Sequence, residues 1–221
     1  MTVQNYSHKS EAYFGRARKD ILPLFPVGGV QRVLEVGCGN GATLAYLKQQ
    51  GLAQEVHGME LMEAVAAQAQ PVLDALYVGD AVALVATLPN ETYDAVLCLD
   101  VLEHLVDPWS FVLQLERVLK PGGCLIASIP NLRTFPVLWN LGVGGTFDYA
   151  QQGIMDKTHV RFFTQKTALA LVETPLLRRV DWRRSPMAPW SKSKIVNALT
   201  LGLFRDLFTE QYLVKSVKTN P

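Results

Sequence analysis

Between residues 30 and 130, short apolar runs alternate with helix-compatible segments, and the first run ends in three glycines spaced G-x-G-x-G. Within Arg32-Val-Leu-Glu-Val-Gly-Cys-Gly-Asn-Gly41, Val33–Val36 reads as a buried strand and Gly37, Gly39 and Gly41 as the turn leaving it. Glycine has no Cβ, so such a turn takes positive φ and lets a ligand press against bare backbone. Ala42–Gln50 is predicted as the following helix, closed by Gly51 as C-cap, with its first amides facing the same ligand. Glu55–Met59 follows as a strand, then Met62–Gln70 as a helix stopped by Pro71. Ala75–Val78 and Ala95–Leu99 are two more apolar strands. Asp107-Pro108 supplies an N-cap and a first-turn proline for a helix carrying Phe111, Val112, Leu115, Val118 and Leu119 on one face. Lys120-Pro-Gly-Gly123 is read as a turn before a last buried strand, Cys124–Ile129. Such alternation implies a parallel sheet with right-handed crossovers, binding ligands beyond the carboxyl ends of its strands.

Beyond Pro130 the regularity breaks. Residues 131–160, rich in Gly, Asn, Pro and aromatics, read as an irregular insertion over the sheet. Thr164–Glu173 is a helix with Thr164 as N-cap, Leu177–Trp182 a strand, and Gln211–Val217 a last strand. Between them Lys194–Phe208 is amphipathic, with Val196, Leu199, Leu203 and Leu207 on one face. It can cap a pocket, pair two subunits or rest on a membrane; capping is the expectation. The first 25 residues are expected to be helical, with Tyr13 and Phe14 ahead of Ile21, Leu22 and Leu24.

The organisation expected is one domain over 1–221. It has an N-terminal helical cover (1–29), a ligand-binding core (30–130), an insertion forming the acceptor region (131–163), and C-terminal helices with an antiparallel strand hairpin (164–221). No apolar stretch approaches the roughly 20 residues of a membrane span, so stable membrane insertion is not expected. The amino terminus has no signal-peptide core, so the expected location is the cytoplasm. Cys38, Cys98 and Cys124 fit reduced, buried thiols without a C-x-x-C signature. Charge is uneven: residues 1–155 carry 9 cations against 15 acids, residues 156–221 carry 12 against 5. The basic third suits either an anionic substrate or a solvated face.

Further acids fall at the predicted strand ends. Glu35 sits inside the first strand, where a charge is unusual unless it meets a cation or backbone donors. Glu60 ends the second strand, either to accept from both ribose hydroxyls of a nucleoside or simply to open a helix. Gly79-Asp80-Ala81 ends the third, where Asp80 can hold an adenine amino group or serve as a turn or N-cap residue. Asp100 ends the fourth, followed by Glu103 and His104.

With these in order, the chain resembles the class I S-adenosylmethionine-dependent methyltransferases. The residues that carry the resemblance are Glu35-Val-Gly-Cys-Gly-Asn-Gly41, Glu60, Gly79-Asp80, Asp94-Ala-Val-Leu-Cys-Leu-Asp100 and Leu119-Lys-Pro-Gly-Gly123, across residues 30–130. The resemblance implies a Rossmann-like α/β fold, a seven-stranded, mostly parallel sheet with helices on both faces and one antiparallel strand. It implies S-adenosyl-L-methionine as donor and S-adenosyl-L-homocysteine as product. The donor's methionine part and sugar would lie over Glu35, Gly37, Cys38, Gly39 and Gly41, its ribose at Glu60 and Leu61, its adenine at Asp80 and Ala81. Asp100 would edge the methionine pocket. A dinucleotide site is disfavoured, because it wants G-x-G-x-x-G and a pyrophosphate, which Glu35 would repel.

The acceptor implied is a small molecule, methylated at oxygen and resembling a sugar, a glycolipid precursor or a related metabolite. Oxygen acceptors need a base, and His159 is the first candidate, in Asp156-Lys-Thr-His-Val-Arg-Phe-Phe-Thr164, with His104 second. If that segment is extended, His159 and Arg161 share a face near the acceptor; otherwise Arg161 and Asp156 only tie the insertion down. This segment and Ser128-Ile-Pro-Asn131 are similar to bacterial polysaccharide and sugar methyltransferases, which makes Arg161 and Asn131 candidate substrate contacts. Quinone-pathway O-methyltransferases carry acids and a Glu-His pair after the fourth strand, where a divalent metal can bind. Asp100, Glu103 and His104 match that spacing, but no metal is expected here, since the pair commonly only packs or hydrogen bonds. A catalytically silent, donor-binding partner protein is the other alternative. Nucleic acid is not an expected acceptor, because Leu99-Asp-Val-Leu102 stands where an Asn-Pro-Pro-aromatic tetrapeptide would lie. A monomer or homodimer is expected.

Overall fold

The computed structural model describes residues 15–185 and 201–220. Seven strands form one sheet: β1 (Val30–Val36), β2 (Ala53–Glu60), β3 (Ala75–Val78), β4 (Tyr93–Leu99), β5 (Leu119–Pro130), β6 (Leu177–Arg184) and β7 (Gln211–Lys218). Their order is β3-β2-β1-β4-β5-β7-β6. β7 runs antiparallel to both β5 and β6, and every other pairing is parallel. The expected fold class holds, including the single antiparallel strand. Strand order reverses between β1 and β4, which opens a crevice at their carboxyl ends.

The sheet is covered on both faces. Leu34 and Val36 point into one core with α3 (Ala81–Thr87), α4 (Pro108–Val118) and α6 (Gln165–Leu171), whereas Val33 points into another with α1 (Ala42–Gln49) and the 3-10 turn Lys19–Leu24. β1 is therefore apolar at successive positions rather than at alternate ones, as two-sided burial requires. On α4 the predicted face Phe111, Val112, Leu115 and Val118 is buried, and Asp107 caps the helix by accepting from the Ser110 amide at 3.1 Å. Each such side chain contributes about 1.5–3 kcal/mol by leaving water.

Departures from expectation have local causes. α2 (Glu63–Ala69) does not stop at Pro71 but tightens into the 3-10 turn Gln70–Val72, where the missing proline amide costs nothing. α3 was not foreseen; Asp80 starts it, its carboxylate accepting from the Val82 and Ala83 amides. Lys120-Pro-Gly-Gly123 lies inside β5 as an out-of-register loop, since Tyr93 pairs with Leu119 but Ala95 with Cys124. A Cβ at Gly123 would sit 2.9 Å from the Lys120 carbonyl oxygen, so only glycine fits. The predicted insertion opens with α5 (Phe135–Trp139) and a π turn, Asn140–Gly144. Tyr13 and Phe14 lie outside the described residues, and the N-terminal segment from Lys19 is a 3-10 turn that buries Ile21 and Leu24. Lys194–Thr200 of the expected amphipathic helix lies outside them too. From Leu201 the chain forms turns and the 3-10 helix Arg205–Phe208, with Leu203 exposed rather than on a packed face. No helix among the described residues is long and apolar enough to cross a membrane.

Candidate functional site

A cavity of about 710 Å³ opens at the carboxyl ends of β1, β2, β3 and β4, within the size range of small-molecule sites. Its floor is the glycine turn. Gly37, Gly39 and Gly41 all take positive φ (+70°, +55°, +79°), and a Cβ at Gly37 would meet Val101 Cγ2 at 2.7 Å. The amides of Gly37 and Cys38 donate to the Met59 carbonyl, which fixes the turn on β2. Gly37, Cys38 and Gly39 line the cavity; Gly41 does not. It serves as N-cap of α1, where a Cβ would meet Val72 at 3.1 Å and Ala69 at 3.3 Å.

The acids assemble around this floor. Glu60 at the end of β2 accepts from the Gly39 amide (3.0 Å) and the Met62 amide (2.9 Å). Burial pushes its pKa up, and those amide hydrogen bonds pull it back. Leu61, Asp80 and Ala81 line the same wall. Glu35 is almost fully buried on the α1 side of β1. Its carboxyl accepts from the Thr43 hydroxyl, but Oε2 has no hydrogen-bond partner among the described residues. Burial pushes its pKa up to about 8, against the pull of that hydroxyl and of Arg18. Burial also raises the Cys38, Cys98 and Cys124 thiols, so none of these free cysteines is an activated nucleophile.

Asp100 leaves β4 with φ +59° and gathers partners distant in sequence. Oδ1 accepts from Ser128 Oγ (2.6 Å) and Gln211 Nε2 (2.7 Å), and Oδ2 accepts from Arg18 Nη1. Arg18 also binds Asp20, and its backbone amide donates to Thr43 Oγ1 at 3.2 Å. Arg18 was missed in the sequence: only its place in a cation-bearing segment ahead of Asp20-Ile-Leu hinted at it, and nothing local says that it reaches β4. Thr43 and Gln211 were missed for the same reason.

The opposite wall comes from the 3-10 turn Leu102–His104 and the end of the insertion. Glu103, His104 and His159 are buried there. His104 Nδ1 lies 3.1 Å from the Thr158 carbonyl and His159 Nδ1 2.9 Å from the Ile154 carbonyl. A carbonyl only accepts, so each ring donates through Nδ1. The rings meet edge to face at 4.7 Å, and His159 Nε2 lies 3.9 Å from Glu103 Oε1. Neither Glu103 oxygen has a hydrogen-bond partner among the described residues, and burial, then Asp100, raises its pKa well above the ordinary value. One ligand atom from each of Glu103, His104 and His159 fall within 4.8 Å of one another. The set with metal-ligand geometry thus contains His159 in place of Asp100, which Arg18, Ser128 and Gln211 hold elsewhere.

Two expected substrate contacts are corrected. Asn131 is fully buried outside the cavity, its Nδ2 donating to the Asp206 and Thr209 carbonyls and its Oδ1 accepting from the Arg133 amide. Arg161 donates to the Val106 carbonyl and lies over Trp109. Asp156 ties the segment by accepting from the Thr158 amide and hydroxyl.

Residues 34–127 match the family model described as a methyltransferase domain. That match spans less than half of the chain, and the fold around it is that of class I methyltransferases. Over 112 residues it is 34% identical to a ubiquinone biosynthesis O-methyltransferase of Alkalilimnicola ehrlichii, an alignment covering 48% of this chain and 44% of that protein. The chain spans about half the length of the curated relatives that it matches. In fold it is similar to a SAM-dependent methyltransferase from Archaeoglobus fulgidus, at 20% identity and TM-score 0.69, with 94% and 92% of the two chains covered. It is similar as well to the [4+2]-cyclase SpnF, at 15% identity and TM-score 0.61, with 91% and 80% covered.

The methyltransferase domain's cavity fits the family's donor. Its ligand-facing charge at β1, β2 and β3 is acidic, suited to a sulfonium and ribose hydroxyls rather than to phosphate. Glu35, whose Oε2 has no hydrogen-bond partner among the described residues, lines the cavity beside the bare glycine backbone. Arg18 lines the same end, its guanidinium held by Asp20 and Asp100.

Proposed function

We propose that the chain is an S-adenosylmethionine-dependent O-methyltransferase of a small molecule, working in the cytoplasm. The observation that carries this reading is that one cavity is lined by the glycine floor and by His159, whose Nδ1 donates to the Ile154 carbonyl. The donor, when bound, supplies a methyl group on a sulfonium sulfur with a neutral thioether as leaving group. The protein's part is alignment, exclusion of water and removal of one proton. His159 Nε2 takes the acceptor's hydroxyl proton as the oxygen–methyl bond forms and the sulfur–methyl bond breaks. The Ile154 carbonyl keeps Nδ1 protonated and the ring oriented.

The acceptor class that the relatives support is a phenolic hydroxyl of a quinone-type precursor. A sugar or glycolipid hydroxyl draws less support, because Asn131 and Arg161 do not reach the cavity. A second reading, in which a divalent cation activates the phenol, is favoured by the cluster of Glu103, His104 and His159. The SpnF likeness cautions that the fold alone does not set the reaction.

The test is mass spectrometry of phenolic and sugar acceptors incubated with protein and isotopically labelled donor, with and without chelator. Labelled methyl ether and S-adenosylhomocysteine are expected together. Donor binding without any product from either class would favour the silent-partner alternative. Loss of turnover in chelator, restored by added metal, would select the metal-assisted reading.

A further inference from the structure

One short segment borders the cavity, and a single side chain holds it in place. Residues 15–20 precede the buried anchor of Ile21, Leu24 and Phe25, and Arg16, Arg18 and Asp20 line the same cavity as the glycine turn. Among the described residues, every hydrogen bond from this segment to another element is made by Arg18. Lys19 adds a cation–π contact with Tyr46 of α1. The Arg18 amide donates to Thr43 in the first turn of α1, whereas its guanidinium reaches the carboxyl end of β4. The segment thus bridges the cavity as a strap from the α1 side to the β4 side.

The guanidinium closes a ring. Arg18 Nη1 donates to Asp100 Oδ2, Arg18 Nη2 donates to Gln211 Oε1 at 3.3 Å, and Gln211 Nε2 donates to Asp100 Oδ1 at 2.7 Å. The strap, the end of β4 and the start of β7 meet there. Asp20 grips the near side, its two oxygens accepting from Arg18 Nε and Nη2 at 3.0 Å each. The far side is fixed. The Gln211 amide donates to Ser185 Oγ (3.1 Å) and its carbonyl accepts from the Ser185 amide (2.9 Å), while Ser128 Oγ holds Asp100. Asp100 keeps φ +59°, unfavourable for a residue with a Cβ, and the donors on its carboxylate hold it there.

Such a ring opens at small cost. The Arg18 and Asp100 side chains keep 17% and 30% of their surface in water, so water takes over their bonds far more readily than in a buried pair. Ile21 and Leu24 stay packed in the core, so breaking the ring frees the strap upstream of a fixed hinge. Thr43 carries the change to the donor floor, because its hydroxyl accepts from the Arg18 amide and donates to the Glu35 carboxyl. Releasing the strap therefore takes a bond from the hydroxyl that holds Glu35.

We propose that residues 15–20 are a gate on the donor cavity and that the ring of Arg18, Asp100 and Gln211 is its latch. The donor enters and its spent product leaves while the ring is open; with the ring closed the ligand is sequestered. Gln211 is a positioning residue in this device, acting on Arg18 and Asp100 from the opposite end of the chain. The inference rests on the donor reading of the cavity and is independent of the acceptor.

The test is the association and dissociation rates of S-adenosylhomocysteine on the full chain, measured by rapid mixing in the parent, Gln211→Ala and Asp20→Ala. Both rates are expected to rise about three- to tenfold in each variant, the weight of one hydrogen bond to a partly exposed charge, with Kd moving less than either rate. Glu60→Gln weakens a contact on another wall without touching the strap, and should raise dissociation alone. Trypsin cleavage after Arg18 in the ligand-free protein, read by mass spectrometry, should quicken by a similar factor in Gln211→Ala, because cleavage follows the open population. Asp20→Ala, which touches neither β4 nor β7, carries the test if Gln211→Ala does not fold. A rise in dissociation alone in Gln211→Ala and Asp20→Ala, or rates and cleavage equal to the parent's, would overturn the latch while leaving the donor reading intact. A parent that binds no S-adenosylhomocysteine would overturn both.

Discussion

Glu35→Gln isolates the energetics of the donor floor. In the folded protein, burial lifts the Glu35 carboxyl from its ordinary 4.5 to about 8, despite the Thr43 hydroxyl and Arg18. An acid with a raised folded-state pKa binds more protons folded than unfolded between those two values, so stability falls as pH rises through that window and levels off above it. At neutral pH, about 2.5 pH units above the ordinary value and below the folded one, the cost is about 3 kcal/mol at 1.36 kcal/mol per pH unit. Glutamine keeps the shape and cannot ionise. The variant should be more stable than the parent by up to about 3 kcal/mol near pH 7 and nearly equal near pH 4. Urea unfolding of both proteins from about pH 4 to about pH 9 reads the difference directly, because every other titrating group cancels. Donor binding should weaken in the same variant, since a cationic ligand loses its buried carboxylate partner. A difference that stays flat with pH, or a parent that gains stability over the variant as pH rises, would refute the reasoning. It would mean that Arg18 holds Glu35 ionised.

His159→Ala should lower turnover about 10²–10⁴-fold while leaving the S-adenosylhomocysteine dissociation constant within about twofold, measured by product formation and calorimetry; full turnover would remove it as the base. Arg18→Ala should weaken S-adenosylhomocysteine binding at least about tenfold, because Asp100 and Asp20 at the cavity edge lose the guanidinium they share, with Arg18→Lys restoring only part because the fork on Asp20 is lost. Gly37→Ala should destabilise by about 1–3 kcal/mol, read by thermal unfolding, because an L residue is strained at φ +70° and its Cβ meets Val101 at 2.7 Å. Leu115→Ala, on the packed face of α4, should cost about 2–5 kcal/mol without altering donor affinity.

The donor half of the cavity was legible because each part is made by neighbours in sequence. Gly37 and Gly39 need only the turn after β1, Glu60 only the end of β2, and Asp80 only the start of a helix. The N-cap reading of Asp80 is local as well, whereas the helix that it caps was hidden because Ala81–Thr87 lacks charged residues to give it a polar face. The Lys120-Pro-Gly-Gly123 loop looked like an ordinary turn because its composition is that of one. Its place inside β5 is set by pairing with Tyr93 and Ala95, which sequence alone does not display.

The other half depends on contacts between distant segments. Arg18 and Asp100 are 82 residues apart, Gln211 and Asp100 111 apart. Asn131 and Arg161 had the chemistry of substrate contacts, yet each is consumed in holding a loop: Asn131 by two carbonyls near Thr209, Arg161 by the Val106 carbonyl. A polar side chain next to a cavity has to satisfy its own neighbourhood first, because an unmet buried group costs about 1–3 kcal/mol. Glu103 is the instructive exception, since its buried carboxyl has no hydrogen-bond partner among the described residues while two imidazoles stand beside it. Carboxyls that only hold structure find donors, as Asp156 does with the Thr158 amide and hydroxyl. One left without them in the wall of a cavity is set for a proton or a cation that arrives with the chemistry.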